Sequence, residues 1–250
     1  MNPRIMGAVA ARVLNQVRHD HRTLAMLLVL PMLLMSLLWW MFDNAGPGFD
    51  RFGPALLALF PFIIMFLVTS VTTLRERSSG TLERLLSMPT GKVDFLGGYA
   101  IAFGLVAAVQ SALAVALCVW VLDLDLIGPA WMLTVVAVVD ALLGTALGLF
   151  VSAFARTEFQ AVQFMPAVVI PQILLCGLFV PRERLPRVLE VISDVLPLSY
   201  AVDAMNSVAH TTSDRFGGVD PAVWNDLAVV AAFVVGSLVL GAATLRRRTA

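Results

Sequence analysis

Six apolar runs, separated by short polar stretches, predict an all-α integral membrane protein. An uncharged apolar stretch of roughly 18 residues or more is long enough to cross a bilayer as a helix. The predicted spans are 24–42, 52–74, 97–122, 130–154, 161–180 and 227–245. Trp39 and Trp40 close the first run, where indole favours the membrane–water boundary. The third span lies inside a longer apolar stretch, 95–122, so its start is tilted or interfacial. Pro166 and Pro171 fall within the fifth, where proline leaves carbonyls unpaired and kinks a helix. The organisation predicted is an N-terminal segment, 1–23, followed by one six-span domain, 24–250.

The polar stretches carry their own periodicity. In 1–23, Ile5, Val9, Val13 and Val17 recur at steps of four, with Arg4, Arg12, Arg18 and Arg22 around them. That pattern predicts an interfacial amphipathic helix, apolar side on the membrane and arginines toward head groups. His19-Asp20-His21 is a weak metal candidate, because side chains two apart point to different sides of a helix. In 181–224, Val188, Leu189, Ile192, Val195 and Leu196 form a helical stripe that Pro197 stops, and a second short helix is predicted over 199–209. Residues 75–92, RERSSGTLERLLSMPTGK, form a charged island between the second and third spans. There Leu82, Leu85, Leu86 and Met88 alternate with Thr81, Glu83, Arg84 and Ser87. The prediction is a short amphipathic helix, entered at Gly80 and stopped at Pro89. So short a helix is unstable alone and needs a membrane, neighbouring helices or a partner's groove to lie on.

Composition sharpens this picture. The chain of 250 residues is 59% hydrophobic and 14% charged, against about 25% charged in soluble domains. The net charge is zero, so no nucleic-acid partner is implied. Cys118 and Cys176 lie inside apolar runs and read as packing residues, not a disulfide framework. The first apolar run starts at Leu24 and lacks a small-residue cleavage site, so it reads as a span and not as a signal peptide. Twelve Lys and Arg fall on the side of the termini and the island, and five on the other. This asymmetry predicts that both termini and the island face the cytoplasm. No internal repeat of the kind that marks secondary transporters is visible.

Candidate chemistry is sparse. A phosphate-cradling loop needs Gly five residues before a Gly-Lys-Ser/Thr. Gly91-Lys92 is followed by Val93, and Leu86 stands where that glycine is required. The chain is not expected to bind ATP by that route, and no catalytic or metal residues are assigned. Asp140 is the one ionisable residue deep in a span, where a charged Asp costs about 2.5–3.5 kcal/mol. It shares a drifting helix face with Gly144, Gly148 and Ser152, and Gly-x-x-x-Gly permits close helix approach. Two readings stay open for Asp140: a hydrogen bond to a neighbouring helix, or a substrate-cation or proton-relay role. Gln110, Gln163 and Gln172 are further polar residues within spans, suited to helix–helix hydrogen bonds or to lining a substrate path. An ion-coupled transporter should show several intramembrane charges. A membrane-embedded enzyme should show paired His, Ser or carboxylates in spans, and all three His lie outside them.

The island resembles the cytoplasmic coupling segment of ABC type-2 exporter permeases: an acidic residue, then Gly-Thr-Leu-Glu, leucines and Pro. Here these are Glu76, Gly80-Thr81-Leu82-Glu83, Arg84, Leu85-Leu86 and Pro89. The long connection is similar too, with Phe179-Val180-Pro181, Leu185-Pro186 and Pro197-Leu198-Ser199-Tyr200. The Arg or Gln expected after the last motif is replaced by Asn206, so a salt-bridge role is not transferred there. In size the chain is similar to the drug- and polyketide-exporter branch. The resemblance implies a multi-pass permease of the bacterial inner membrane, paired with a second permease as homodimer or heterodimer. It also implies two ABC ATPase subunits docked on the island, with ATP-Mg on the ATPase and none on this chain. The outer loop would then fold back as a re-entrant gate. The cargo implied is an amphipathic or hydrophobic drug, antibiotic or lipid, with a polysaccharide or lipid-linked cargo as the alternative within the class.

Overall fold

Asp20 divides the N-terminal helical path in two. Its carboxylate accepts the Thr23 backbone N–H at 3.1 Å and the Thr23 hydroxyl at 2.6 Å, which caps the helix that follows. These bonds hold the Asp20 carboxyl below its ordinary value. The His19-Asp20-His21 triplet is thus a helix junction. Among the described residues no group of three His, Cys, Asp or Glu is placed to hold a metal. The computed structural model describes residues 3–42, 48–78, 92–155, 157–211 and 218–244.

Those residues are helical throughout, apart from turns and linkers. In chain order the helices are α1 (Pro3–His19), α2 (His21–Phe42), α3 (Gly48–Ser78), α4 (Lys92–Trp120), α5 (Ala130–Ser152), α6 (Glu158–Leu175), α7 (Arg187–Val195), α8 (Pro197–His210) and α9 (Pro221–Thr244). A 3-10 turn, Arg182–Arg184, precedes α7. Six of the helices, α2 to α6 and α9, are long and apolar enough to cross a membrane, and they coincide with the six apolar runs. The protein is an all-α, six-span membrane fold.

Close approach at glycine sets the core. A Cβ on Gly144 would collide with the Phe62 carbonyl oxygen, and one on Gly148 would lie 2.5 Å from that of Phe66. Both numbers advance by four together, so α3 and α5 run parallel with their backbones in contact. This is the small-residue packing that membrane helices use where lipid supplies no hydrophobic drive. Helix α5 also packs on α4 and α9. In contrast α2, α6 and α9 are peripheral, with most of their apolar surface outside the fold of this one chain.

Three features depart from the sequence expectation. The stripe of α1 does not face lipid: Val9, Val13 and Val17 are buried. Gly97 and Gly98 of α4 let α1 in, since a Cβ on Gly98 would lie 2.6 Å from Val9. The amphipathic pattern is real, but protein covers it. Second, α6 ends at Leu175 instead of running to 180, because Gly177 takes a φ of +91°, a conformation helices do not accommodate. Its start is earlier than 161, because the Thr157 hydroxyl caps Gln160 N–H at 3.1 Å. Third, α3 begins at Gly48, which places Asp50 and Arg51 in its first turn.

Candidate functional site

One end of the bundle gathers the start of α4, the ends of α1 and α3, and the start of α6. At the end of α3, Glu76 is nearly buried, at 5% exposure. Arg12 of α1 donates to its Oε1 at 2.8 Å. The Tyr99 hydroxyl of α4 donates to its Oε2. A buried carboxylate needs such partners, because leaving it unpaired costs several kcal/mol. Tyr99 is itself fixed between Phe95 and Phe103, with ring centroids 4.5 and 6.0 Å away. The neighbouring residue, Arg75, points the other way and pairs with Glu158 of α6 at 2.9 Å. Two adjacent residues thus tie the last turn of α3 to α1 and α4 on one side and to α6 on the other. Immediately beyond lies the rest of the 75–92 island. Its predicted coupling residues Gly80, Thr81, Leu82, Glu83, Arg84, Leu85, Leu86 and Pro89 lie outside the described residues.

At the opposite end, the 181–210 connection forms a cap over α3 and α6. Pro181 precedes the 3-10 turn, Pro186 precedes α7, and Pro197 opens α8, positions where a missing N–H is harmless. Arg182 organises the cap. It donates to Asp194 at 2.6 Å and to Asp203, and its guanidinium lies 5.0 Å from the Tyr200 ring centre. The Tyr200 hydroxyl donates to the Asp194 carbonyl at 2.8 Å. Burial pushes the Asp203 carboxyl above its ordinary value, and Arg182 offsets only part of that. Ser193 holds α7 down, donating to the Leu175 carbonyl at 2.8 Å and meeting Ser199 at 3.0 Å. Leu198 is fully buried, whereas Phe179 is exposed. The α7 stripe faces away from the protein: Val188, Leu189, Ile192 and Val195 are all exposed.

Between this cap and the first turns of α3 lies an open cleft of about 540 Å³. Arg51, Phe52, Arg182, Asp203, Asn206 and His210 are among its lining residues. Asn206, the position where the resemblance expects Arg or Gln, therefore faces the cleft.

The intramembrane polar residues separate into different roles. Gln172 is structural: its Oε1 accepts Leu198 N–H at 3.4 Å and its amide donates to the Val168 carbonyl at 3.0 Å. Gln163 lies on the exposed face of α6. Asp140 and Gln110 are completely buried, yet neither has a hydrogen-bond partner among the described residues. The expected helix–helix bond from Asp140 is absent there. Its place follows from the glycine register: one turn before Gly144, it faces α3 one turn before Phe62. The hydroxyls of Thr69, Ser70 and Thr73 on α3 are likewise buried without partners among the described residues.

Several of these residues carry no local signal in the sequence. Arg12 and Tyr99 are remote from Glu76 in the chain, and Arg182, Asp194 and Asp203 are ordinary charges of a polar loop. The one available clue is the tyrosine count: the chain has two, and each anchors one end of the bundle.

The described residues thus form a six-span helical fold with a clamped carboxylate at one end and a capped cleft at the other. The chain belongs to the ABC-2 type transporter family, whose profile matches residues 6–209. It is 28% identical over 155 residues to the probable multidrug ABC transporter permease YbhR of Escherichia coli, covering 62% of this chain and 42% of that protein. It is 29% identical over 151 residues to the inner membrane transport permease YhhJ of E. coli, covering 59% and 40%. The linearmycin resistance permease protein LnrN of Bacillus subtilis is 23% identical over 152 residues, covering 59% and 39%. These matches span under half the length of those relatives.

Proposed function

We propose that the chain is the membrane-spanning permease of an ATP-driven exporter, powered by a separate ATPase docked on the 75–92 segment. The observation that carries this reading is the clamp at the end of α3. Glu76 joins α3 to α1 and α4, and Arg75 joins it to α6. A push delivered to the last turn of α3 would therefore reach three other helices, α1, α4 and α6. ATP-Mg would sit on the ATPase, in two copies, and a second permease would complete the path. The peripheral apolar faces of α2, α6 and α9 offer surface for such a partner and for lipid.

Family membership supports this reading, and so do the names of relatives that describe multidrug transport or linearmycin resistance. By the same analogy the cargo is an amphipathic or hydrophobic small molecule moved outward. The excess of Lys and Arg supports placing the clamp end and both termini in the cytoplasm, with the capped cleft outside as a gate. The setting is then the bacterial inner membrane. The experiment is purification from the native host in mild detergent. An ATPase should co-elute and be lost in Glu83→Arg or Leu85→Asp. Retention in both variants would remove the docking assignment.

A second reading, ion coupling through Asp140, is favoured by one observation: both of its buried oxygens lack partners among the described residues. It predicts that Asp140→Asn abolishes transport or shifts its pH profile. An unchanged profile ends that reading.

A further inference from the structure

His210 is the last residue of α8, and its ring spans two structural elements. Nδ1 lies 3.1 Å from the carbonyl oxygen of Asn206, one turn back on α8. Nε2 lies 3.2 Å from the carbonyl oxygen of Asp50, in the first turn of α3 and 160 residues away. A carbonyl oxygen only accepts. A neutral imidazole carries one N–H and one lone pair, so it can donate to just one of these oxygens and must point a lone pair at the other. The imidazolium, with two N–H groups, satisfies both.

The surroundings make this contact matter mechanically. His210 lines the cleft between the cap and α3. The far side of α8's last turn is already fixed, since Ile127 N–H donates to the Ala209 carbonyl and Gly128 N–H to that of Val208, each at 3.0 Å. The Asp50 carboxylate in turn accepts Asp125 N–H at 3.0 Å. Three segments, the start of α3, the α4–α5 loop and the end of α8, thus meet around one ring. Of the ring's two contacts, whichever is left without an N–H in the neutral form is the part of that junction that depends on a proton.

We infer that His210 is a proton-operated latch, which as imidazolium ties α8 to the first turn of α3 across the cleft and when neutral releases one of its two contacts. Imidazole changes charge between about pH 5 and 8, the range in which an extracytoplasmic surface meets changes of medium. Its consequence for transport rests on the outer-gate reading above; the latch itself does not. Among the described residues, the charged groups around the junction and cleft are Asp50 and Arg51 on α3, Asp125 in the α4–α5 loop, Asp203 on α8, Arg182 and Glu183 before α7, and Glu190 and Asp194 on α7. Their titration must be separated from that of the ring.

The test is amide hydrogen exchange of the full chain in lipid nanodiscs, at pH 5.5 and pH 8, with intrinsic rates divided out. Peptides from 203–211 and 48–55 are followed in wild type, His210→Gln, His210→Arg and Asp203→Asn. Wild-type protection should fall roughly three- to tenfold at the higher pH, the contribution of one net hydrogen bond. His210→Gln should show no such fall, His210→Arg should stay protected at both pH values, and Asp203→Asn should retain a fall. Equal wild-type protection at both pH values overturns the latch. So does a fall that persists in His210→Gln or disappears in Asp203→Asn. Because exchange is read without transport, failure here leaves the exporter reading standing, and failure of the exporter reading leaves this one.

Discussion

Arg12 and Glu76, 64 residues apart in sequence, form an ion pair at 2.8 Å whose carboxylate is almost wholly buried. The pair fastens α1 to the turn of α3 that leads into the 75–92 segment. Removing the arginine takes one partner from the carboxylate while the Tyr99 hydroxyl still donates to it. Breaking a fully buried pair costs about 3–5 kcal/mol. Arg12 is about a third exposed, so the expected loss is smaller, about 1–3 kcal/mol, screened by solvent. Arg12→Ala and Glu76→Gln should each lower the unfolding midpoint. The double variant should lose less than the sum, as read by a double-mutant cycle. Strict additivity would show that the two side chains do not interact.

The α3–α5 contact gives a second prediction. Alanine at Gly144 or Gly148 puts a methyl against the Phe62 or Phe66 backbone oxygen. Backbone cannot move as a side-chain tip can, so each substitution should cost about 1–3 kcal/mol or more. A methyl on Gly7 or Gly236 would meet nothing within 4 Å. Alanine there should be neutral or mildly stabilising. Thermal unfolding in detergent of the four single variants checks the contrast.

Asp203 supplies a pH prediction. Burial raises its carboxyl in the folded chain above the ordinary value, so the folded state takes up the proton more readily than the unfolded one. The associated stabilisation is full below the ordinary carboxylate range and is lost as pH rises through the raised folded value. Between pH 4 and pH 7, wild type should therefore lose more midpoint temperature than Asp203→Asn. Parallel pH profiles for the two proteins would contradict it.

Asp140 should not behave as a structural hydrogen bond. Neither of its oxygens has a partner among the described residues, so Asp140→Asn removes no bond described there. Folding stability should stay within about 1 kcal/mol of wild type or rise, because an amide is cheaper to bury than a carboxylate. A loss of several kcal/mol would mean that the carboxyl holds the bundle together.

The spans are legible in the sequence because a bilayer imposes a length on any apolar helix, and that length is visible in one dimension. The same holds for α7, whose stripe at Val188, Leu189, Ile192 and Val195 needs only local periodicity, and for Pro197 as the stop after it, though Pro197 also opens α8, two residues before the predicted start at 199. What covers a stripe is a tertiary question. Ile5, Val9, Val13 and Val17 have the pattern of a helix on lipid, and nothing within 1–23 shows that Gly97 and Gly98 open a seat for it on α4. The end of α6 at Leu175 is hidden because Cys176–Val180 stays apolar while Gly177 turns the backbone. Glu76 stands out as part of a motif, but its partners Arg12 and Tyr99 depend on helix register. Arg182 and Asp203 likewise meet only once α7 and α8 fold back.

On the proposed exporter function, this chain moves a cargo only when an ATPase acts on the segment after α3. Its direct measurement is ATP-dependent flux of a fluorescent amphipathic drug in proteoliposomes holding the permease with its co-purified ATPase. Flux should require ATP and both proteins, and should fall at least about tenfold in Leu85→Asp while the protein remains folded. Equal flux from the permease alone, without ATP or ATPase, would contradict the account.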